Sequence, residues 1–392
     1  MLGDAWQAFL SDRLAQQRAA GLWRERPTLE RPMRQRDFAS NDYLGLACDP
    51  RLIEAQARGA RRFGAGAGAS HLVSGHLAPN HELEERLAEL TGRPRALLFS
   101  TGYMANLGTL QTLGDRHTQL YQDRLNHASL LDGAALAGAR SRRFHHCDLD
   151  DLDRLLARAP DGDRRLVVSD GVFSMDGDIA DIDGLVATCQ RHGAWLMVDD
   201  AHGLGVLGKR GDGCVGQRYG TAQVPVLIGT LGKALGSAGA FVAGDEPLIE
   251  ALIQFARPYI YTTAQPPGVA SATLRALDIL ATEPEHRVRL HDNIHYFRVG
   301  AADHGLPLLP STTPIQPLLL GTNARVMAWR DVLVQRNFLV GAIREPTVPH
   351  GQARLRLTLS ARHTLDEIDA LLDCLGELAK HAPPEVREAV SP

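Results

Sequence analysis

Between residues 81 and 229 the chain switches repeatedly between two periodicities, and no other feature restricts the fold as much. Short apolar runs at 95–99, 119–123, 165–169, 194–198 and 224–229 have strand length. Helical spacing fills the intervals at 81–90, 103–113, 127–137 and 182–192. Apolar strands joined by helices form a mostly parallel sheet covered on both faces, so the expected fold class is α/β. Upstream, Trp6, Phe9, Leu10 and Leu14 fall at helical spacing within 4–21, and a Pro- and Arg-rich connector runs to about residue 36. A second helix, 49–62, starts after Asp49-Pro50. Downstream of about residue 262 the character changes. A long helix is expected to about residue 300, then strands at 315–320 and 353–359 and helices at 324–336 and 365–380. A chain of 392 residues is too long for one compact unit. The expected division is an N-terminal helix and connector (1–48), a large domain (49–280) and a smaller C-terminal α/β domain (281–392).

Bulk composition narrows the function classes. A formal charge of −4 with 22% charged residues gives no electrostatic footprint for nucleic acid. The basic segment 24–36 lacks interleaved aromatics and suits a solvated face or an anionic substrate. Five dispersed cysteines without pairing or metal spacing fit reduced thiols. The start, Met-Leu-Gly-Asp-Ala-Trp-Gln, carries neither a basic n-region nor an apolar run, so a cytoplasmic protein without a membrane span is expected.

The basic residues carry a sharper signal. Of 42, only Lys209, Lys233 and Lys380 are lysine. Lys209 lies in a polar turn and Lys380 near the C-terminus, whereas Lys233 sits within the apolar, small-residue stretch 224–244. Five glycines, a proline and the central charge exclude a membrane span there. Ala234 after the lysine excludes a phosphate-binding Walker loop. Poor hydration lowers an amine's pKa and frees its lone pair for imine chemistry. A snorkelling lysine beside a buried strand is the plainer alternative.

Other polar groups stand at expected strand ends, where open parallel sheets bind ligands. Ser100-Thr-Gly102-Tyr103 opens a helix and could hold phosphate on free amides. Asp199-Asp-Ala-His202-Gly203 offers a carboxylate and an imidazole, for a cofactor ring, a metal pair or a structural contact. His127 begins a helix, either as a cap or as a face for a planar ring. Thr230 and Lys233 follow the next strand. The run Gly64–Ser70 is not a dinucleotide loop, because it follows a helix. Pyridoxal phosphate accounts for the whole set: it needs an imine lysine, a carboxylate at its ring nitrogen, a donor to its phenolic oxygen, a stacking face and a phosphate cup.

From about residue 38 to residue 364 the chain resembles the α-oxoamine synthases, fold-type I pyridoxal-phosphate enzymes that join an amino acid to an acyl thioester with loss of carbon dioxide. The resemblance rests on Ser40-Asn-Asp-Tyr-Leu-Gly-Leu46, Leu125-Asn-His-Ala-Ser129, Gly171-Val-Phe-Ser-Met-Asp-Gly-Asp178, Val198-Asp-Asp-Ala-His-Gly203 and Thr230-Leu-Gly-Lys-Ala-Leu-Gly236. Leu72-Val-Ser-Gly-His76, Ile343-Arg-Glu-Pro-Thr-Val-Pro349 and Ala353-Arg-Leu-Arg-Leu357 are most similar to the branch that uses L-alanine and a pimeloyl thioester, on coenzyme A or on acyl-carrier protein, in biotin biosynthesis. Sister activities use glycine or serine, and a cofactor-fold protein without catalysis is the remaining alternative.

The resemblance implies roles. Lys233 carries the cofactor and acts as base, Asp199 pairs with the ring nitrogen, and His127 stacks on the ring. His202 and Ser174 meet the phenolic oxygen, while Gly102, Tyr103 and Thr230 hold the phosphate. Thr262 or Thr263 reaches the neighbouring subunit's phosphate in a homodimer with shared sites. Arg344, helped by Asn41, grips the amino-acid carboxylate, and Thr347 and Arg24 (or Arg26) line the acyl substrate. Arg354 and Arg356, alternating with apolar residues, read as the exposed face of a strand.

Overall fold

The structure is a computed structural model and describes residues 2–26, 28–29 and 36–380. The connector expected up to residue 36 therefore lies partly outside the described residues, at 27 and 30–35.

The first strand, β1 (Arg36–Phe38), belongs to a small sheet completed far downstream. Seven strands then build the large sheet: β2 (Arg95–Phe99), β3 (Thr118–Asp123), β4 (Arg140–Phe144), β5 (Arg164–Asp170), β6 (Trp195–Asp199), β7 (Val226–Thr230) and β8 (Ala240–Gly244). Their order is β2-β8-β7-β6-β5-β3-β4. The block from β7 to β4 is parallel, and β8 runs antiparallel between β7 and β2. The small sheet comprises β9 (Ile315–Gly321), β10 (Phe338–Ile343) and β11 (Ala353–Thr358), ordered β1-β10-β11-β9. This is the fold-type I architecture, a seven-stranded mixed sheet with a smaller α/β sheet beside it.

Three differences from the expected elements have physical causes. β8 was hidden because the apolar stretch 224–244 holds two strands with the lysine turn between them. β4 is Arg-Ser-Arg-Arg-Phe, exposed except for Phe144, with no apolar run to betray it. The long helix expected to residue 300 is two helices, Pro267–Thr282 and Glu285–Asp303, interrupted where Pro284 cannot donate a backbone hydrogen bond. The N-terminal helix Leu2–Ala19 forms, but Trp6, Phe9, Leu10 and Leu14 are exposed.

One apolar cluster runs through both sheets. Phe38, Leu44 and Leu46 share it with Leu231 and Leu235 of the turn after β7, with Phe241 of β8 and with Leu355 and Leu357 of the small sheet. This packing places the segment 40–46 between the sheets, over the carboxyl ends of the parallel strands. Gly236 makes the close approach possible. Its backbone has φ +62°, and a Cβ there would stand 2.5 Å from the Ala47 nitrogen.

Candidate active site

Four parallel strands end at the same crevice and each delivers polar groups to it. β3 leads to His127, β5 ends at Asp170, β6 ends at Asp199, and β7 leads through Thr230 to Lys233.

Lys233 Nζ lies 2.7 Å from His202 Nε2. On the other side of the ring, His202 Nδ1 is 2.6 Å from the Tyr43 hydroxyl. Tyr43 donates to Asn41 Oδ1 at 3.2 Å, and Arg356 Nη2 donates to the same oxygen at 3.1 Å. The donors can all run one way, from the lysine through the neutral imidazole and the phenol to Asn41. Burial pushes Lys233 down to about 8, opposed by the Asp199 and Asp170 carboxylates. Burial, with the nearby lysine, also holds His202 well below the usual imidazole range, which keeps it an acceptor toward Lys233.

Asp199 is buried at the end of β6. Asn106 Nδ2 donates to its Oδ2 at 2.7 Å and the Ala201 amide to its Oδ1 at 3.0 Å. His127 caps the helix Ala128–Leu136; its Nδ1 meets Ser129 Oγ at 2.7 Å, and its amide donates to Asp170 Oδ2 at 2.7 Å. Desolvation lowers the His127 pKa. Asp170 is fully enclosed, and burial, reinforced by Asp199, raises its pKa far above the carboxylate range.

The helix Gly102–Leu113 opens beside these groups. Thr101 takes the Met104 amide into its side chain, leaving the Gly102 and Tyr103 amides without an intrahelical acceptor. A Cβ built on Gly102 would meet nothing within 4 Å, so the approach to those amides is open. Thr230 Oγ1 donates to Gly239 O at 3.0 Å. A buried amine, a carboxylate facing the crevice and an open helix start fit pyridoxal phosphate at its aldehyde, ring nitrogen and phosphate.

Arg354 and Arg356 correct the expectation of an exposed face: they are 0% and 7% exposed. Arg354 forms an ion pair with Asp176 at 2.5 Å. Arg356 Nε donates to Ser174 O at 2.6 Å while its Nη2 reaches Asn41. Arg344 lies elsewhere. Its Nη1 donates to Gly21 O at 2.5 Å and its Nη2 to Trp23 O at 3.4 Å, which brings the segment carrying exposed Arg24 to the loop carrying Thr347. Thr262 is partly buried and Thr263 exposed, in a turn tied to Ala69 O through the Ala264 amide. Sequence reasoning missed Tyr43, Asn106, Asp170 and Arg356 as site groups. Tyr43 stood in a quoted motif and Asp170 at a strand end, whereas Asn106 inside a helix gave no signal.

The family model for class I and II aminotransferases matches residues 34–375. The chain is 68% identical over 373 residues to the 8-amino-7-oxononanoate synthase of Chromohalobacter salexigens, covering 95% of this chain and 97% of that one. Among solved structures it is similar to the 8-amino-7-oxononanoate synthase of Francisella tularensis (33% identity, TM-score 0.77, 88% of this chain and 98% of that one). It is also similar to serine palmitoyltransferase from S. paucimobilis with bound pyridoxal phosphate and myriocin (30% identity, TM-score 0.89, 97% and 98%). The chain belongs to the class I and II aminotransferase family and, within it, to the family of 8-amino-7-oxononanoate synthases.

Proposed function

We propose that the protein condenses L-alanine with a pimeloyl thioester, giving 8-amino-7-oxononanoate, carbon dioxide and free thiol for biotin biosynthesis. The observation that carries this reading is the hydrogen-bonded line from Lys233 through His202 and Tyr43 to Asn41 and Arg356. It joins a poorly hydrated amine to a buried guanidinium within one crevice. The 68% identical relative bears the same activity in its name.

Pyridoxal phosphate, when bound, supplies an aldehyde carbon to attach amines and an electron-withdrawing ring. Lys233 would be the attachment point for the aldehyde, and its free Nζ, poorly hydrated and held by His202, would be placed to take the substrate Cα proton. Asp199, held by Asn106, would pair with the ring nitrogen and favour its protonated form, and His127 would face the ring. His202 and Ser174 would meet the phenolic oxygen; Gly102, Tyr103 and Thr230 would hold the phosphate. Arg356 with Asn41 binds the alanine carboxylate, a role supported by their mutual contact next to the lysine line. Arg344, Thr347 and Arg24 line the acyl end, near the Gly21–Trp23 carbonyls. We assign residues 49–280 to the cofactor and 281–392 to a substrate clamp, with 1–48 reaching across. We further propose a cytoplasmic homodimer in which Thr262 or Thr263 completes the neighbouring phosphate site. Exposed Leu72, Val73 and Tyr261 close to that turn support an interface there. No helix among the described residues is long and apolar enough to cross a membrane.

Thiol release from a pimeloyl thioester by the cofactor-loaded protein, with L-alanine, glycine and L-serine in parallel, tests the reading. Release with alanine alone is expected. Release with serine or glycine instead moves the protein to a sister activity.

A further inference from the structure

One group of side chains outside the crevice has the chemistry of a metal site. The helix Ala78–Thr91 carries His81 and Glu84 three positions apart, hence on one face. His76 stands just before that helix, after the short helical turn His71–Gly75. One ligating atom each of His76, His81 and Glu84 lies within 4.8 Å of the other two. Together with His71 and Tyr259 they line a groove of about 550 Å³. Among the described residues, none of the three hydrogen-bonds to the line from Lys233 to Asn41.

Their surroundings hold them as ligands. Glu84 is 9% exposed, and its Oε1 accepts the Leu98 amide of β2 at 3.0 Å. Its Oε2 stands 3.9 Å from His76 Nε2, too long for a hydrogen bond. An ion bonded to each at about 2.0–2.2 Å fits between them after a small closure. The other nitrogen of the His76 ring is engaged: Nδ1 lies 3.0 Å from His71 Nδ1, and the His71 ring stacks on Tyr259 at 5.1 Å and 10°. With the shared proton on His76, Nε2 keeps its lone pair toward the Glu84 oxygen. Metal-bound histidines are held in this way, by a second group that takes the spare N–H and fixes the tautomer.

Other histidines do not meet these conditions. Among the described residues one other trio converges, Asp123, His146 and Cys147. There Asp123 and Asp178 occupy both ring nitrogens of His146, at 2.9 and 2.8 Å, so no lone pair is left for an ion. His304 with Asp373 and His350 with Glu345 are pairs without a third ligand. The plainer reading of His81 is an exposed helix pair with Glu85 at 3.5 Å, which contributes little. That reading leaves the free oxygen of Glu84 and the lock on His76 unexplained.

We propose that His76, His81 and Glu84 bind a zinc-class divalent ion, with His71 as the positioning residue behind His76 and water in the fourth place. Two imidazoles and a carboxylate suit zinc, nickel or copper; calcium and magnesium take oxygen ligands. The ion joins the end of the turn His71–Gly75 to the helix and, through Glu84, to β2. Its role is to stabilise this corner of the fold, not to carry the reaction.

The test titrates the cofactor-loaded, chelator-treated protein with zinc chloride by calorimetry. One tight site per chain is expected, with a rise in Tm that EDTA reverses. His76→Gln and His81→Gln should each weaken the site about tenfold or more, and the double variant should lose it. Cys147→Ser, which alters the other trio, should keep it. His71→Phe retains a ring against Tyr259 without the nitrogen, and should weaken zinc about 10- to 100-fold at unchanged stoichiometry. Variants matching wild-type Tm in EDTA have lost a ligand and not the fold; because His81 is exposed, its variant carries the test should His76→Gln unfold. No saturable zinc binding by wild type, a tight site surviving in the double variant, or calcium binding as tightly as zinc overturns the proposal.

Discussion

Lys233 is useful to this site because its surroundings strip it of water while keeping its free base hydrogen-bonded. The His202 imidazole, held neutral by burial, accepts from the amine and cannot repel it. Lys233→Ala should abolish turnover and the absorbance of the lysine–cofactor imine, measured by thiol release and by spectrum; near-normal turnover would sink the assignment. The pH behaviour follows from the lowered pKa. Free amine is scarce below about 8 and dominant above it, so cofactor capture should accelerate through an inflection near pH 8. Stability follows the same proton. Below about 8 the lysine is charged in both folded and unfolded chains, and the full cost of burying that charge applies. Between about 8 and the ordinary 10.5 the unfolded chain holds the extra proton, so cofactor-free protein gains stability as pH rises. Denaturation at pH 7.5 and 9.5 should therefore show Lys233→Met more stable than wild type by a margin that narrows at the higher pH.

At the scale of elements, the loop after β5 and strand β11 act as one unit. Arg354 joins Asp176, Arg356 joins the Ser174 carbonyl, and Ser311 and Thr313 both donate to Gly177 O. The small sheet is thereby latched to the loop that carries Ser174. Arg354→Met removes the Asp176 ion pair and the guanidinium's bonds to Met175 O and Gln352 and should cost about 1–3 kcal/mol in urea unfolding, less than a fully buried pair because Asp176 is partly exposed; adding Asp176→Asn should recover part of that loss. Arg356→Gln should raise KM for L-alanine while leaving KM for the acyl donor near its wild-type value. A uniform fall in kcat alone would argue for a purely structural role. These arginines also show where sequence reading stopped. Period-two alternation identified a strand at 353–359, yet alternation cannot say which face meets water. β11 is an interior strand of its sheet, with both faces covered, so the arginines turned inward. Strand β2 and the helix Leu365–Lys380 were legible to the residue because apolar period and boundary signals agreed there. β4 was not, because an edge strand can be built from arginine when only Phe144 needs burial. Lys233, Asp199, His127 and His202 were legible because chemistry at strand ends is local. Asn106 and Arg356 depend on contacts across more than ninety residues, which spacing does not encode.

Across the whole molecule, one exposed apolar patch lies beside the turn that carries the two threonines. Leu72, Val73 and Tyr261 are 49%, 79% and 73% exposed, and the Ala264 amide bond to Ala69 O binds their two segments together. Thr262 and Thr263 sit in the same turn, and Gln265 just after it donates to Phe99 O at the end of β2. A symmetric dimer through this patch would bury the apolar groups and carry each turn toward its partner, since a two-fold interface presents the same surface from both sides. Complementation separates that arrangement from a threonine pair serving its own chain. Lys233→Ala lacks the amine but keeps both threonines; the Thr262→Ala, Thr263→Ala double variant keeps the amine. In a mixed dimer with shared sites, one site loses both contributions and the other regains both. Random pairing makes half the dimers mixed with one sound site in each, so an equal co-expression mixture should recover about a quarter of wild-type thiol release. If the threonines act within their own chain, every site in the mixture retains one defect, and activity stays at the average of the two parents.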